Sequence, residues 1–248
     1  MVDRNTYYSS APSKSSAEID EGLRAYMLTV YNYMASALAL TGLAAYVTAN
    51  TPALYSLLYN FAQTPEGDVV LTGMTGLGYV AMFAPLGLVL FLSFRINNMQ
   101  ASTAQMVFWI YSALVGVSLA SILFMYTGTS IAKTFFVTAA AFGSLSLYGY
   151  TTKKNLSGMG SFLIMGLFGL IIASVVNIFL QSSAMDFVIS AMGVLIFAGL
   201  TAYDTQKIKL LYLQGQHGTK TAIMGALSLY LDFINMFLFL LRFMGNRE

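Results

Sequence analysis

The 248-residue chain has no cysteine, which excludes a disulfide framework and a thiolate zinc site. Its single histidine, His217, cannot build a multi-histidine metal centre. Charge is scarce too: 12 Lys and Arg and 10 Asp and Glu make up 9% of the residues. A soluble globular domain carries about 25%, so this chain could not solvate a soluble surface. Net charge is only +2 and no basic patch stands out, so nucleic acid is not an expected partner. What is present is apolar. Hydrophobic residues reach 57%, aromatics 14% and mean hydropathy +0.70. An aromatic content this high excludes low-complexity disorder. A polytopic membrane protein remains, with the lipid bilayer as its first partner.

A helix needs roughly 20 apolar residues to cross the hydrocarbon layer. Seven runs qualify, at about 25–48, 70–94, 104–126, 131–151, 160–181, 186–208 and 221–243. They are too long for the roughly 10-residue strands of an outer-membrane barrel and lack sustained alternation. The expected fold is an all-α membrane protein, a seven-transmembrane-helix bundle forming one domain over 23–248. Residues 1–22, rich in serine and acidic side chains, read as a disordered polar tail rather than a signal peptide.

Lys and Arg set the orientation. With the N-terminus in the cytoplasm, nine basic residues fall inside, among them Arg24, Arg95, Lys153, Lys154, Lys207, Lys209 and Lys220. Three fall outside: Lys133, Arg242 and Arg247. Seven spans then put the C-terminus outside. Helices in lipid associate through small residues and interhelical hydrogen bonds, and glycine is plentiful here. Asn32 and Asn177 read as such polar glue. Gly76-Leu-Gly78-Tyr-Val-Ala81 matches a dinucleotide pattern in form only, since no βαβ unit is expected around it.

Of the ten acidic residues, only Asp204 and Asp232 lie within apolar runs. A carboxylate at membrane depth costs on the order of 2.5–3.5 kcal/mol, more than a polar glue contact of about 0.6–2 kcal/mol returns, so both are functional candidates. Their spacing sharpens this. Asp204 stands 14 residues before Gly218 and Asp232 stands 14 after it, in a hairpin whose turn is Gln214-Gly-Gln-His-Gly218. Antiparallel helices would bring the two to one depth. Two carboxylates so close in a low dielectric cannot easily both ionise, so they titrate as a unit. A shared proton would link the helices, and its loss would part them. The same oxygens could hold a passing Ca²⁺. Ser228, Asp232 and Asn235 share one face of the last span, and Thr201, Asp204 and Lys207 align on the sixth, so Ser228, Asn235 and Thr201 are pore-lining candidates. Arg95, ending the second span, reads either as a snorkelling anchor or as a counter-ion for the pair.

Ile196-Phe-Ala-Gly-Leu-Thr-Ala-Tyr-Asp204-Thr-Gln-Lys-Ile208 resembles the signature of the transmembrane Bax inhibitor motif (Bax inhibitor-1-like) family. Ala226-Leu-Ser-Leu-Tyr-Leu-Asp232-Phe-Ile-Asn-Met-Phe237 with Leu240-Leu-Arg-Phe243 resembles its last helix. Pro85-Leu-Gly87 and Arg95-Ile-Asn97 are similar to bacterial members, and the resemblance spans about residues 23–245. It implies a seven-helix bundle with the last helix central. It further implies a pH-sensitive Ca²⁺ leak sensed by Asp204 and Asp232, with Arg95 as the nearest match to a latch. A bacterial inner membrane is the expected location.

Three other functions stay open at this point. A proton-coupled cation exchanger could use the same pair. A regulator of a membrane protease or of a stress or cell-death pathway could act through the tail. An intramembrane aspartyl protease also needs paired aspartates, but Leu229-Tyr-Leu231 precedes Asp232 where a Gly-x-Gly would stand, and no Pro-Ala-Leu follows. No enzyme activity and no cofactor are therefore expected; Ca²⁺ and protons are the expected cargo.

Overall fold

The computed structural model describes residues 16–64, 67 and 69–246. Among the described residues nine α-helices and one antiparallel strand pair follow in order: α1 (Ser16–Asn50), α2 (Pro52–Leu58), β1 (Tyr59–Gln63), β2 (Val69–Met74), α3 (Gly76–Arg95), α4 (Ala101–Leu119), α5 (Ile122–Met125), α6 (Gly128–Thr151), α7 (Ser157–Leu180), α8 (Ser183–Leu213) and α9 (Thr219–Met244). Seven helical segments among the described residues are long and apolar enough to cross a membrane, with α4 and α5 acting as one. The α-helical bundle expected from the sequence is present.

The last helix is central. Of its apolar window 56% is buried, against 6% for α7, and α9 packs on α1, α4, α6 and α8. Lipid offers apolar surface as readily as protein does, so burial here reports close packing and polar contacts. Tyr230 of α9 illustrates both. Its ring meets Phe108 and Tyr111 edge-on at 6.0 and 5.8 Å, and its hydroxyl lies 2.7 Å from Thr41 Oγ1.

The α8–α9 hairpin has a Schellman cap. Gly215 N–H donates to Tyr212 O and Gln216 N–H to Leu211 O, both at 2.9 Å. Gly215 sits at φ 80°, a left-handed conformation that a β-carbon disfavours. This turn fixes the antiparallel register of α8 and α9. Nearby, Gln206 of α8 ties down the α6–α7 loop: its Oε1 accepts from Leu156 N–H at 2.8 Å and its Nε2 donates to Lys154 O at 2.7 Å. Gln206→Leu leaves both backbone groups unpartnered, at about 1–3 kcal/mol each. A fall in the melting temperature of the detergent-solubilised protein checks this.

Several boundaries differ from expectation. Residues 16–22 belong to α1, so the helix reaches seven residues into the stretch read as a tail; residues 1–15 lie outside the described residues, as do Glu66, Asp68, Arg247 and Glu248. The second span begins at Gly76, because residues 69–74 pair with 59–63 as a hairpin. Val69, Val70 and Leu71 are as apolar as a helix needs, but Thr75 starts the helix by accepting from Gly78 N–H at 3.1 Å. Tyr55, Phe61 and Phe124 pack edge-to-face around the hairpin, and the Tyr59 hydroxyl accepts from Ser121 N–H at 3.1 Å where α4 gives way to α5. A strand does precede Gly76-Leu-Gly78, contrary to expectation, yet it pairs antiparallel with β1 and forms no βαβ unit. Gly78 is small because the Leu58 carbonyl lies against it.

Candidate functional site

Three helices build the site. On α9, Ser228, Asp232, Asn235 and Phe239 follow at spacings of four, three and four residues and so form one stripe. On α8, Phe197, Leu200 and Asp204 do the same, and α7 closes the third side with Leu167, Leu170, Ile171, Ser174, Val175 and Ile178. Between them lies a cavity of about 500 Å³ that holds both carboxylates. Asp204 and Asp232 therefore line one cavity from neighbouring helices, at equal distance from the turn.

The two carboxylates are not equivalent. Asp232 is 4% exposed, and its Oδ2 has no hydrogen-bond partner among the described residues. Asp204 is only half-buried, so of the two carboxylates placed in apolar runs one is buried. An unpartnered oxygen in an apolar wall is costly unless it takes up a proton or a cation.

Ser228 and Asn235 line the cavity with them. Asn235 Nδ2 donates to Leu231 O at 2.8 Å, so what it can offer an ion is the amide oxygen. Thr201 is not a lining residue. It is fully buried, and its hydroxyl donates to Phe197 O at 2.8 Å, which spends it on its own helix. Lys207 is exposed and reaches over the Tyr203 ring, 6.0 Å from its centroid, rather than into the cavity. Arg95 is exposed at the end of α3, a helix that packs mainly on α4, and among the described residues no ion pair joins it to either aspartate. Neither Asn32 nor Asn177 is interhelical glue: Asn32 is exposed, and Asn177 Oδ1 accepts from Ser182 N–H at 3.1 Å in the α7–α8 turn.

Two features escape the sequence reading. One is the α7 wall, made of ordinary apolar residues. The other is the Asp186–Arg242 ion pair at 3.4 Å, which closes the α8–α9 seam at its far end. The stripe on α9 continues from Phe239 to Arg242 at the same spacing, a signal that was there to be followed. Among the described residues no group of three His, Asp or Glu gathers to hold a metal.

The model of one protein family, described as inhibitor of apoptosis-promoting Bax1, matches residues 23–248, nearly the whole membrane domain. The chain belongs to the Bax inhibitor-1 family. Bacterial relatives in this family are close. An uncharacterized protein of Rickettsia prowazekii (strain Madrid E) is 51% identical over 232 residues, 92% of either chain. An uncharacterized protein of Caulobacter vibrioides is 49% identical over the full length of both. The inner membrane protein YbhL of Escherichia coli (strain K12) is 46% identical, over 92% of this chain and 94% of its own. Like other Bax inhibitor-1 proteins, this chain is an integral membrane protein.

Proposed function

We propose that the protein is a pH-sensitive leak for Ca²⁺, gated by protonation of Asp204 and Asp232. The observation that carries this is the cavity shared by both carboxylates, in which Asp232 keeps an oxygen without a partner. With one proton between them the pair is a single negative charge and the helices stay linked. Without it, two like charges repel across a low dielectric and offer up to four oxygens to a hard divalent cation. Ser228 and Asn235 supply further oxygens along the same face. Among the described residues that line the cavity there is no Lys or Arg. The exposure of Arg95 suits a positive anchor at the membrane surface better than a latch.

An inner-membrane location with a cytoplasmic N-terminus accompanies this proposal. Support comes from the Lys and Arg bias, from Arg24 and Lys209 gathering at one end of the bundle, and from the similarity to an inner membrane protein. The test is Ca²⁺ flux into liposomes carrying the purified protein, from about pH 5 to pH 8. Flux that changes with pH is expected, and Asp232→Asn should flatten the change. A wild type that passes no Ca²⁺ at any pH removes the leak; uptake that occurs only with an opposing proton gradient makes it an exchanger.

A further inference from the structure

A second cavity, of about 390 Å³, lies at the α7–α8 turn. Asn177, Gln181, Ser182 and the Asp186–Arg242 pair surround it. The two cavities meet along α7, because Ser174 and Ile178 line both. On the other side they are divided. Along α8 the order is Ile189 in the polar chamber, then Gly193, then Phe197 in the carboxylate cavity. Along α9 it is Arg242, then Phe239, then Asn235. Phe239 fills this division. Its ring lies over Gly193 so closely that a β-carbon there would stand 2.5 Å from it, and it stacks on Phe197 at 5.9 Å with an interplanar angle of 24°.

We infer that Phe239, seated on Gly193, is the throat between the two carboxylates and a polar vestibule at the α7–α8 turn. It rests on the leak proposal for its purpose, since a throat matters only where something passes. The geometry fits a gate. The ring stands where the two chambers adjoin, seated on Gly193 and stacked on Phe197. Opposite charges at Asp186 and Arg242 keep the vestibule polar without favouring one sign of ion. An apolar constriction between two polar chambers closes by excluding water and opens when the ring turns aside.

The chain has no cysteine, so single thiols can be placed without background. Gln181→Cys reports on the vestibule and defines its side of the membrane; Asn235→Cys reports on the carboxylate cavity. A charged, impermeant thiol reagent added on the vestibule side is expected to label Gln181→Cys quickly in every background. It should label Asn235→Cys slowly, and roughly tenfold faster when Phe239→Ala removes the stacked ring. Gly193→Ala, which displaces the ring without removing it, should speed labelling as well and serves if Phe239→Ala does not fold. Equal labelling of Asn235→Cys in all three backgrounds overturns the throat. Ca²⁺ flux on wild type, Phe239→Ala and Gly193→Ala, with no thiol introduced, separates the two proposals. Faster labelling without Ca²⁺ flux leaves the throat and removes the leak; pH-dependent flux with unchanged labelling removes the throat alone.

Discussion

Gly149→Val is expected to leave no folded protein after extraction into mild detergent. A β-carbon at Gly149 of α6 would fall against the backbone of Ala202 on α8, 3.0 Å from its Cα and closer still to its carbonyl. Backbone stands on both sides, so neither partner can turn away as a side chain would. Ordinary overpacking costs about 1–3 kcal/mol because side chains shift to absorb it. Here the whole of α6 must lift from α8, which breaks the Ser146–Thr205 hydrogen bond at 2.9 Å and undoes the Gln206 clamp on the α6–α7 loop. Two controls make the cause specific. Gly143→Ala on the same helix has nothing within 4 Å of the new carbon and should behave as wild type. Ala202→Gly should not rescue Gly149→Val, since the obstacle is the backbone at 202 and not its side chain. Size-exclusion profiles of the four proteins are the measurement, and a monodisperse Gly149→Val peak contradicts the expectation.

Asp232→Asn is expected to make the protein more stable while removing its response to pH. A residue kept only to hold helices together should cost stability when altered. A carboxylate with one oxygen unpartnered in an apolar wall is the opposite case, because its charge is a burden to the fold. Removing that charge recovers up to about 2.5–3.5 kcal/mol, the penalty for a charged side chain at the centre of a membrane helix. Functional sites commonly hold such a cost in reserve. The check is a melting temperature in detergent near neutral pH, set beside Ca²⁺ flux for the same variant. A higher melting point with a flat flux profile is the expected pair of results. A lower melting point would mark Asp232 as structural glue. Asp204→Asn should show the same direction with a smaller gain, because Asp204 is only half-buried.

Much of this was legible in the sequence because membranes impose simple rules. A span must be long, apolar and free of charge, so the count of seven followed from the positions of Lys, Arg, Asp and Glu. That Asp204 and Asp232 line one cavity was legible for a similar reason: a tight hairpin equates depth with distance from the turn, and Gly215 and Gly218 mark the turn. What was hidden depends on packing that no periodicity records. Residues 69–74 are apolar enough for a span and became a strand because β1 and an aromatic pile were there to receive them. Thr201 looked like a lining residue by spacing, but its hydroxyl is committed to Phe197 O within α8. The α7 wall and the ring of Phe239 over Gly193 are apolar residues among many others, and only the three-dimensional arrangement singles them out.

Asp204 and Asp232 are proposed to act as one proton-sensing unit. A double-mutant cycle on the pH profile of Ca²⁺ flux tests it most directly, with wild type, Asp204→Asn, Asp232→Asn and the double variant in the same liposomes. If one proton is shared, either single substitution should abolish the pH response and the double should do no more than either. Single variants that each keep part of the response, with the two losses adding up in the double, would contradict it.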